Sequence, residues 1–358
     1  MNQNKKLHPA VLLLLLAVLL GGLFYESRAQ KQAAAPGYEY SWLGWETFDT
    51  ITEVIGNAES QEEWNRQLAA FEADLEVYNR LYDIYNTYEG LTNLASLNQQ
   101  AGQGPVPVDR RIIELLLLAK EAYALTDGKM NVAAGAVLAL WHDARTAGLE
   151  DPAHAALPDP DALAEAARHC NIDDLIIDQA AGTVELRDPA MRLDVGSIGK
   201  GYAVEMSARA AEARGLASAS ISVGGNIRTI GARLNGGPWS VGIENPWGSE
   251  PRVVQALNMP LGASLVTSGS YQRYYTVDGV RYHHIIDLST LMPADYFVSV
   301  TVLGPNSGLA DCLSTGLFCL PLERGMEIIE SLEGYEAFWM TADGAVTCTS
   351  GMENYLRK

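Results

Sequence analysis

The stretch RLDVGSIGKGYAVE, residues 192–205, begins like a β-strand and ends like an α-helix. A strand that ends at Leu193 and turns through Gly196 and Gly199 into a helix leaves several backbone N–H groups unpaired and pointing outward. Such a turn suits an anion, and Lys200 adds a mobile positive charge beside it. The pattern therefore predicts an anion-binding turn, with an ordinary helix start as the alternative.

Asp194 comes directly after the predicted strand, where its carboxylate could hold a hydroxyl, an amide or a ring N–H. The glycine spacing around it is neither that of a Walker loop nor that of the G-x-G-x-x-G dinucleotide fingerprint. The turn alone therefore leaves the identity of its ligand open.

A second stretch, LADCLSTGLF at 309–318, is predicted to be helical. Asp311 and Thr315 are four residues apart, so their oxygens face the same way on a helix. Mg²⁺ accepts a few hard oxygens and keeps waters or phosphate oxygens as its other ligands. The alternative is that Asp311 interacts with the helix N-terminus and Thr315 bonds to its own backbone.

A third stretch, RYHHIIDLSTLMP at 281–293, contains two adjacent histidines in a β-like run. Neighbouring strand residues point to opposite faces, so only one of the two is expected to enter a given site. His284 could serve as a general base for a hydroxyl nucleophile, and Asp287 could orient an imidazole or cap the following turn. A histidine with a purely structural role is the alternative.

Paired glycines interrupt a fourth stretch, SVGGNIRTIG at 222–231. Gly224 and Gly225 indicate either a tight bend or another group packed closely against the backbone.

The charge balance limits the classes of partner. The 358 residues include 25 basic and 44 acidic side chains, which gives a net charge of −19. A nonspecific grip on nucleic acid or on anionic lipid headgroups is therefore disfavoured. Any polyanionic ligand would need a local positive group or a metal ion.

The N-terminal segment has the layout of an export signal, with Lys5 and Lys6 ahead of an apolar run at 10–24. The run is shorter than the roughly 20 apolar residues of a usual membrane span, although tilt or bilayer thinning would let it act as an uncleaved anchor. We therefore expect a signal peptide or anchor at 1–29, a linker at 30–37 and the folded domain at 38–358, in an exported protein.

The four cysteines show no C-x-x-C pair and no metal-ligand spacing, so we expect buried small hydrophobic residues rather than a disulfide framework. The predicted helices lie at 59–85, 109–125, 161–169, 199–214 and 308–320, with Asp109 as a cap. A hairpin is predicted around Ala181 and Gly182. Further β-like runs lie at 219–231, 239–244, 253–258, 273–277 and 297–303. No repeat is visible, so the prediction is one intertwined α+β domain with mixed, largely antiparallel sheets.

Taken in order, these stretches resemble the ApbE-type FAD:protein FMN transferases, from about residue 45 to residue 351. The similar segments are TYEGLTNLASLN (87–98), MNVAAGAVLALW (130–141), LDVGSIGKGYAVE (193–205), SVGGNIRTIG (222–231), WSVGIENP (239–246), VTSGSYQRYY (266–275), HHIIDLSTLMP (283–293) and VTVLGPNSGLADCLSTGLF (300–318). Their collinear order is more specific than any one of them.

The resemblance implies a Mg²⁺-dependent enzyme that moves the FMN half of FAD onto a threonine hydroxyl of a partner protein and releases AMP. It implies His284 as the residue that takes the threonine proton, and a metal site formed by the Ser197 carbonyl, Asp311 and Thr315. Contacts to FAD are implied for Tyr88, Val132, Ala133, Ala134, Asp194, Lys200 and Ile285.

The implied acceptor is an exported or membrane protein such as a subunit of a redox complex, with no nucleic acid involved. Two other functions stay open. With water as nucleophile, the same site would be an FAD diphosphatase that yields FMN and AMP. A flavin-binding or carrier protein without turnover is the third possibility, favoured by the unusual turn residues Leu288 and Leu291 after His284.

Overall fold

The structure is a computed structural model that describes residues 37–44 and 47–357. The predicted signal or anchor at 1–29 and all but the last residue of the predicted linker lie outside the described residues. No helix within the described ranges combines the length and apolar character needed to cross a membrane.

Eight α-helices are present in the described part of the chain. They are α1 (Gln61–Tyr82), α2 (Leu94–Gln99), α3 (Arg110–Leu125), α4 (Gly135–Glu150), α5 (Pro160–Ala167), α6 (Gly199–Ala213), α7 (Ser307–Phe318) and α8 (Leu322–Glu330). Asp109 caps α3 as predicted, because its carboxylate accepts the N–H of Arg111 at 2.9 Å.

An eight-stranded antiparallel sheet forms the centre of the fold, in the order β1 (Tyr38–Gly44), β2 (Thr52–Ala58), β6 (Ala219–Val223), β7 (Asn226–Ile230), β10 (Ser264–Gly269), β15 (Ser299–Gly304), β16 (Glu336–Met340) and β17 (Val346–Cys348). Smaller antiparallel sheets join β3 (Val106–Pro107), β5 (Thr183–Leu186) and β4 (Leu175–Asp178), and pair β8 (Ser240–Glu244) with β9 (Val253–Asn258), β11 (Tyr274–Val277) with β12 (Val280–His283), and β13 (Ile286–Asp287) with β14 (Met292–Pro293).

Alternating residues of the central sheet enter two different cores. On β10, Val266 packs under the helices with Val300 and Trp339, whereas Leu265 packs on the opposite face with the β8–β9 hairpin and Phe338. This alternation is the two-residue period of a strand that is buried on both sides. The predicted α+β class with largely antiparallel sheets is confirmed.

The predicted helices and the hairpin at Ala181 and Gly182 are confirmed, with ends that differ by up to three residues. The sequence analysis did not predict three of the helices: the six-residue α2, the longer α4 and α8. The prediction of a strand ending at Leu193 is wrong, because the only strand pairing near it in the described part of the chain is a single bridge between Arg192 and Ala134. Gly135 explains the close approach, since a Cβ at this position would lie 2.5 Å from the Arg192 carbonyl oxygen.

The run at 219–231 is two strands rather than one, and Gly224 and Gly225 form the turn between β6 and β7 with φ values of +54° and +88°. A Cβ on Gly224 would also lie 2.5 Å from the Thr50 hydroxyl oxygen, so both predicted reasons for the glycine pair apply. All four cysteines are free thiols, and Cys312 and Cys319 are fully buried, as expected for small hydrophobic residues.

Candidate active site

A cavity of about 450 Å³ opens where the β6–β7 turn, the end of β10 and the start of α6 meet. This volume lies in the usual range for a small-molecule site. Of the eleven residues to which the resemblance gave a catalytic, FAD-binding or metal-binding role, eight line it: Ala134, Asp194, Ser197, Lys200, His284, Ile285, Asp311 and Thr315. Segments distant in sequence thus converge on one site.

The turn before α6 does not offer the row of free N–H groups that the sequence suggested. The N–H of Gly196 donates to the Asp194 carboxylate at 2.8 Å, and those of Ile198 and Gly199 donate to the Val195 carbonyl. The Gly201 N–H donates to Asp311 at 2.9 Å. That expectation is wrong because side-chain and turn bonds already occupy these donors.

Asp194 is held in place by its neighbours on both sides. Its backbone N–H donates to the Val132 carbonyl at 2.9 Å, and its carboxylate accepts the Gly196 N–H. Burial raises the pKa of the Asp194 carboxyl above its usual value, while the Gly196 hydrogen bond and His142 oppose the shift. The side chain thus presents a carboxyl group of increased proton affinity to the cavity.

Asp311 and Thr315 both face the cavity from α7, as their four-residue spacing predicted. Asp311 is only 4% exposed. The Thr315 hydroxyl lies 3.2 Å from the Ser268 hydroxyl at the end of β10. Within the described residues, the Thr315 hydroxyl makes no hydrogen bond to the backbone of its own helix. Together with the Ser197 carbonyl, they offer one carboxylate, one hydroxyl and one carbonyl oxygen.

These hard oxygens are the ligand types that Mg²⁺ prefers. Among the described residues no group of three His, Cys, Asp or Glu side chains could hold a metal by itself. A site with a single carboxylate suits an ion that shares its coordination with waters and phosphate oxygens. The residues present therefore fit magnesium bound together with a phosphorylated ligand.

Among the described residues, four Lys or Arg side chains line the cavity, and three of them have no carboxylate partner: Lys200, Arg145 and Arg273. In the described part of the chain, no carboxylate lies within ion-pair distance of any of them. Burial and the neighbouring Arg273 lower the pKa of the Arg145 guanidinium, which shows that two positive charges are held close together. An anionic ligand would relieve this repulsion.

A fourth cation, Lys129, is already neutralised. Its ammonium lies 2.7 Å and 2.9 Å from the two carboxylate oxygens of Asp287. Burial alone would raise the pKa of Asp287, but Lys129 and two hydrogen bonds from Ser289 lower it below its usual value. Asp287 therefore fixes the turn after the histidines and orients no imidazole.

Both histidines line the cavity, so the prediction that only one would enter is wrong. His283 is the last residue of β12, and His284 follows the strand, where alternation no longer applies. The His283 Nε2 atom lies 2.8 Å from the Ala294 carbonyl oxygen, and its Nδ1 accepts the Ile285 N–H at 3.2 Å. Both ring nitrogens of His283 are thus engaged by the backbone.

Among the described residues the His284 imidazole has one hydrogen-bond contact, 3.3 Å from its Nδ1 to the Arg273 carbonyl oxygen, which also accepts the His284 backbone N–H at 3.2 Å. Burial lowers the pKa of His284 to about 3, with further contributions from Arg273, His283, Arg145 and Lys200. The imidazole is therefore neutral at pH 7 and able to accept a proton.

Three residues implied by the resemblance do not reach the cavity lining. Val132 and Ala133 are fully buried, and the Val132 carbonyl supports Asp194 from behind. The Tyr88 hydroxyl donates to Asp83 at 2.8 Å, and the Arg80 guanidinium lies 4.5 Å from its ring centroid. Of the loop at 130–135, Met130, Asn131 and Ala134 line the cavity.

The sequence analysis also missed an aromatic wall. The Tyr85 and His142 rings lie 5.4 Å apart, and Trp141 stacks on Tyr282 with 6.2 Å between centroids. Trp141, His142 and Arg145 share α4, whose amphipathic spacing is the signal that could have identified them.

The comparisons with known proteins identify the family of the chain. A family model described as "ApbE family" matches residues 48–339. The FAD:protein FMN transferase of Treponema pallidum is 36% identical over 280 residues, 74% of this chain and 75% of that protein. A Klebsiella pneumoniae protein of the same name is 31% identical and covers 92% of each chain.

Solved structures show the same fold. The flavin transferase ApbE from Vibrio cholerae superposes with a TM-score of 0.76 at 26% identity, over 89% of this chain and 100% of that one. The ApbE protein of Thermotoga maritima gives a TM-score of 0.78 at 24% identity, over 90% and 100%. With a family match across most of its length and relatives above 30% identity, the chain belongs to the ApbE family.

Proposed function

We propose that this protein is a Mg²⁺-dependent FAD:protein FMN transferase that attaches FMN through a phosphoester to a threonine hydroxyl and releases AMP. The names of its relatives support transfer of FMN from FAD to a protein. The observation that carries the proposal is one cavity that unites a neutral histidine, three cations without carboxylate partners and a set of hard oxygens.

The charges of the cavity suit a dinucleotide. FAD carries two phosphate charges, and Lys200, Arg145 and Arg273 would offset them inside an otherwise acidic protein. The rings of Tyr85, Trp141 and other aromatic residues offer flat apolar surfaces against which a flavin or adenine ring can stack. Ala134 and Ile285 add small apolar contacts without blocking the cavity.

The Ser197 carbonyl, the Asp311 carboxylate and the Thr315 hydroxyl would hold the metal ion. When bound, Mg²⁺ supplies Lewis-acid stabilisation of charge on the phosphoryl oxygens. Asp311 contributes the one full negative charge of this set. The Ser268 hydroxyl, 3.2 Å from the Thr315 hydroxyl, would orient the Thr315 oxygen toward the metal ion.

His284 would accept the proton of the acceptor threonine. The threonine oxygen then forms a bond to the FMN phosphorus, the bond from that phosphorus to the bridging oxygen breaks, and AMP leaves with that oxygen. Lys200 would stabilise the charge on the departing phosphate. Burial is the largest cause of the low pKa of His284, and the nearby cations lower it further. Binding of anionic FAD would offset the contribution of the cations, and this makes the imidazolium form more stable in the complex.

The location and acceptor follow from the N-terminal segment. The basic residues and apolar run at 5–24 support export and either retention at the membrane or release from it. The acceptor is accordingly an exported or membrane protein, such as a subunit of a redox complex.

One incubation tests the proposal. The protein is mixed with FAD, Mg²⁺ and a threonine-bearing acceptor, and a second acceptor with alanine at that position serves as control. Fluorescent flavin that stays on the threonine acceptor after denaturing electrophoresis supports transfer. Free FMN and AMP with both acceptors would indicate a diphosphatase, and bound FAD without turnover would indicate a carrier.

A further inference from the structure

A buried carboxylate on α6 lies behind the cavity and outside its lining. Glu205 is 1% exposed, yet it has three partners. Its Oε1 accepts from Arg209 at 2.7 Å, and its Oε2 accepts from Arg228 at 3.1 Å and from the backbone N–H of Ser307 at 2.9 Å. A buried charge with this many partners is fixed in position.

The Ser307 bond joins Glu205 to the first turn of α7, the helix that carries Asp311 and Thr315. A second hydrogen bond joins the two helices in the opposite direction. Here Asp311 on α7 accepts the N–H of Gly201 in the first turn of α6. Each helix therefore gives a carboxylate to the N-terminus of the other, where the helix dipole favours negative charge. We call this pair of bonds the reciprocal clamp.

The reciprocal clamp leaves little freedom between the two helices. A Cβ on Gly201 would lie 2.4 Å from the Ser307 carbonyl oxygen and 2.5 Å from the Asp311 Cβ, so the backbones are already in close approach. Asp311 lies one turn further along α7 than Ser307. A shift of the Ser307 end of the helix would therefore move Asp311 as well.

We propose that Glu205 is a positioning residue that sets the place of the Asp311 carboxylate for the metal ion. The inference rests on the proposed function for the role of Asp311, but the clamp itself does not. Glu205 acts through α7 and touches neither FAD nor the metal.

Glu205→Asp is the main variant, because it keeps the charge but is one methylene too short to reach Ser307 and Arg209 together. Glu205→Gln is the rescue variant, since its amide oxygen can still accept from both Ser307 and the buried Arg228, which share Oε2, while the 54% exposed Arg209 turns into solvent. Arg209→Ala is the matched control, because it removes an arm of the network without releasing α7.

The measurement is a Mg²⁺ titration of FAD binding, followed by flavin fluorescence. We expect Glu205→Asp to raise the half-saturating Mg²⁺ concentration about tenfold, and Glu205→Gln and Arg209→Ala to stay within about twofold of the parent protein. A purely structural role would lower the melting temperature of Glu205→Asp without changing the half-saturating concentration. That result, in a folded variant, would overturn the inference.

A second variant removes the donor instead of the acceptor and is used if Glu205→Asp does not fold. Ser307→Pro deletes the N–H at the first helical position, where proline is well tolerated, and it replaces a buried hydroxyl that has no hydrogen-bond partner among the described residues. The preceding Asn306 already has the extended φ of −133° and ψ of 117° that proline requires of its neighbour. Its expected effect on the Mg²⁺ titration is the same tenfold rise, and an unchanged value contradicts the inference.

Amide hydrogen exchange separates this inference from the proposed function, because it needs neither FAD nor metal. Loss of the Ser307 bond should speed exchange at the Gly201 amide at least severalfold, because the two bonds hold the same pair of helices together. If the parent protein shows no Mg²⁺ dependence at all, the proposed metal site fails, and the Gly201 exchange rate alone decides whether the helices are coupled. Faster exchange confined to the region of Ser307 would refute the coupling.

Discussion

The Gly201 N–H donates to the Asp311 carboxylate at 2.9 Å, across 110 positions of sequence. One carboxylate oxygen is used in this way, and the Asp311 side chain also lines the cavity, as does Ser197. A glycine is required at 201, since a side chain there would collide with the backbone of α7. The run Gly199, Lys200 and Gly201 thus permits close contact between α6 and α7, whereas the sequence pattern suggested an anion-binding turn.

Replacement of Asp311 should remove Mg²⁺-dependent turnover. Both Asp311→Ala and Asp311→Asn lose the only carboxylate of the metal set, so we expect transfer to fall by about 10²-fold or more. Asp311→Asn keeps an oxygen for the Gly201 N–H and should melt near the parent temperature, whereas Asp311→Ala should lose about 2 kcal/mol of stability. Unchanged activity in either folded variant would remove Asp311 from the metal site.

Loss of the His284 imidazole should slow the chemical step more than it weakens binding. In His284→Ala we expect kcat to fall by about 10²-fold to 10⁴-fold, with the FAD dissociation constant within about twofold of the parent value. His154→Ala is the control, because that histidine lies on the surface and pairs with Asp151. A proportional loss of FAD affinity would make His284 a ligand contact instead of a base.

The pH dependence should differ between the free enzyme and the complex. The pKa of His284 is about 3 in the free protein, so protonation should not reduce kcat/KM until the pH falls far below the usual histidine range near 6.5. In the complex the phosphate charges of FAD raise this pKa, so the acid limb of kcat should lie at higher pH. Profiles of kcat/KM and of kcat between pH 4 and 9 check whether the acid limb of kcat lies at the higher pH.

A substitution of Arg273 tests whether its charge lowers the pKa of His284. Removal of its charge in Arg273→Met should raise the pKa of His284 and move the acid limb of kcat/KM upward. An acid limb that stays in place would mean that this cation does not act on the histidine.

The two cavity lysines should respond differently to the same substitution. Lys200→Met removes a cation without a carboxylate partner, so stability should hold while FAD affinity drops about tenfold, or 1.4 kcal/mol. Lys129→Met leaves the buried Asp287 unpaired and should cost about 3 kcal/mol of stability. Thermal melts and FAD titrations of both variants provide the comparison, and equal stability losses would contradict the assigned pairings.

Sequence periodicity predicted much of the fold and the shared orientation of Asp311 and Thr315, whereas the metal set itself was implied by the family resemblance and stays a prediction. The spacing of Trp64, Phe71 and Leu75 on α1 and of Asp311 and Thr315 on α7 reflects helix geometry, which is local and therefore readable from order alone. The class of fold was predicted for the same reason, whereas the meeting of the collinear motifs at one site was implied by the family resemblance.

The remaining features depend on contacts between distant segments. Nothing local shows that Arg145 and Arg273 approach each other, or that Lys129 rather than an imidazole pairs with Asp287. The occupied N–H groups at 196–201 were missed because their acceptors include a carboxylate from another helix. Long-range pairing of charged groups is thus the information that periodicity lacks.

The cationic cavity lies within a chain of net charge −19, and this contrast governs how a dianionic nucleotide reaches it. At distance the acidic surface repels FAD, and only within about one Debye length, roughly 8 Å at physiological ionic strength, does the attraction of Lys200 and the arginines dominate. Added salt screens the repulsion during approach and also loosens the final complex. Ionic strength should therefore speed both capture and escape of the nucleotide.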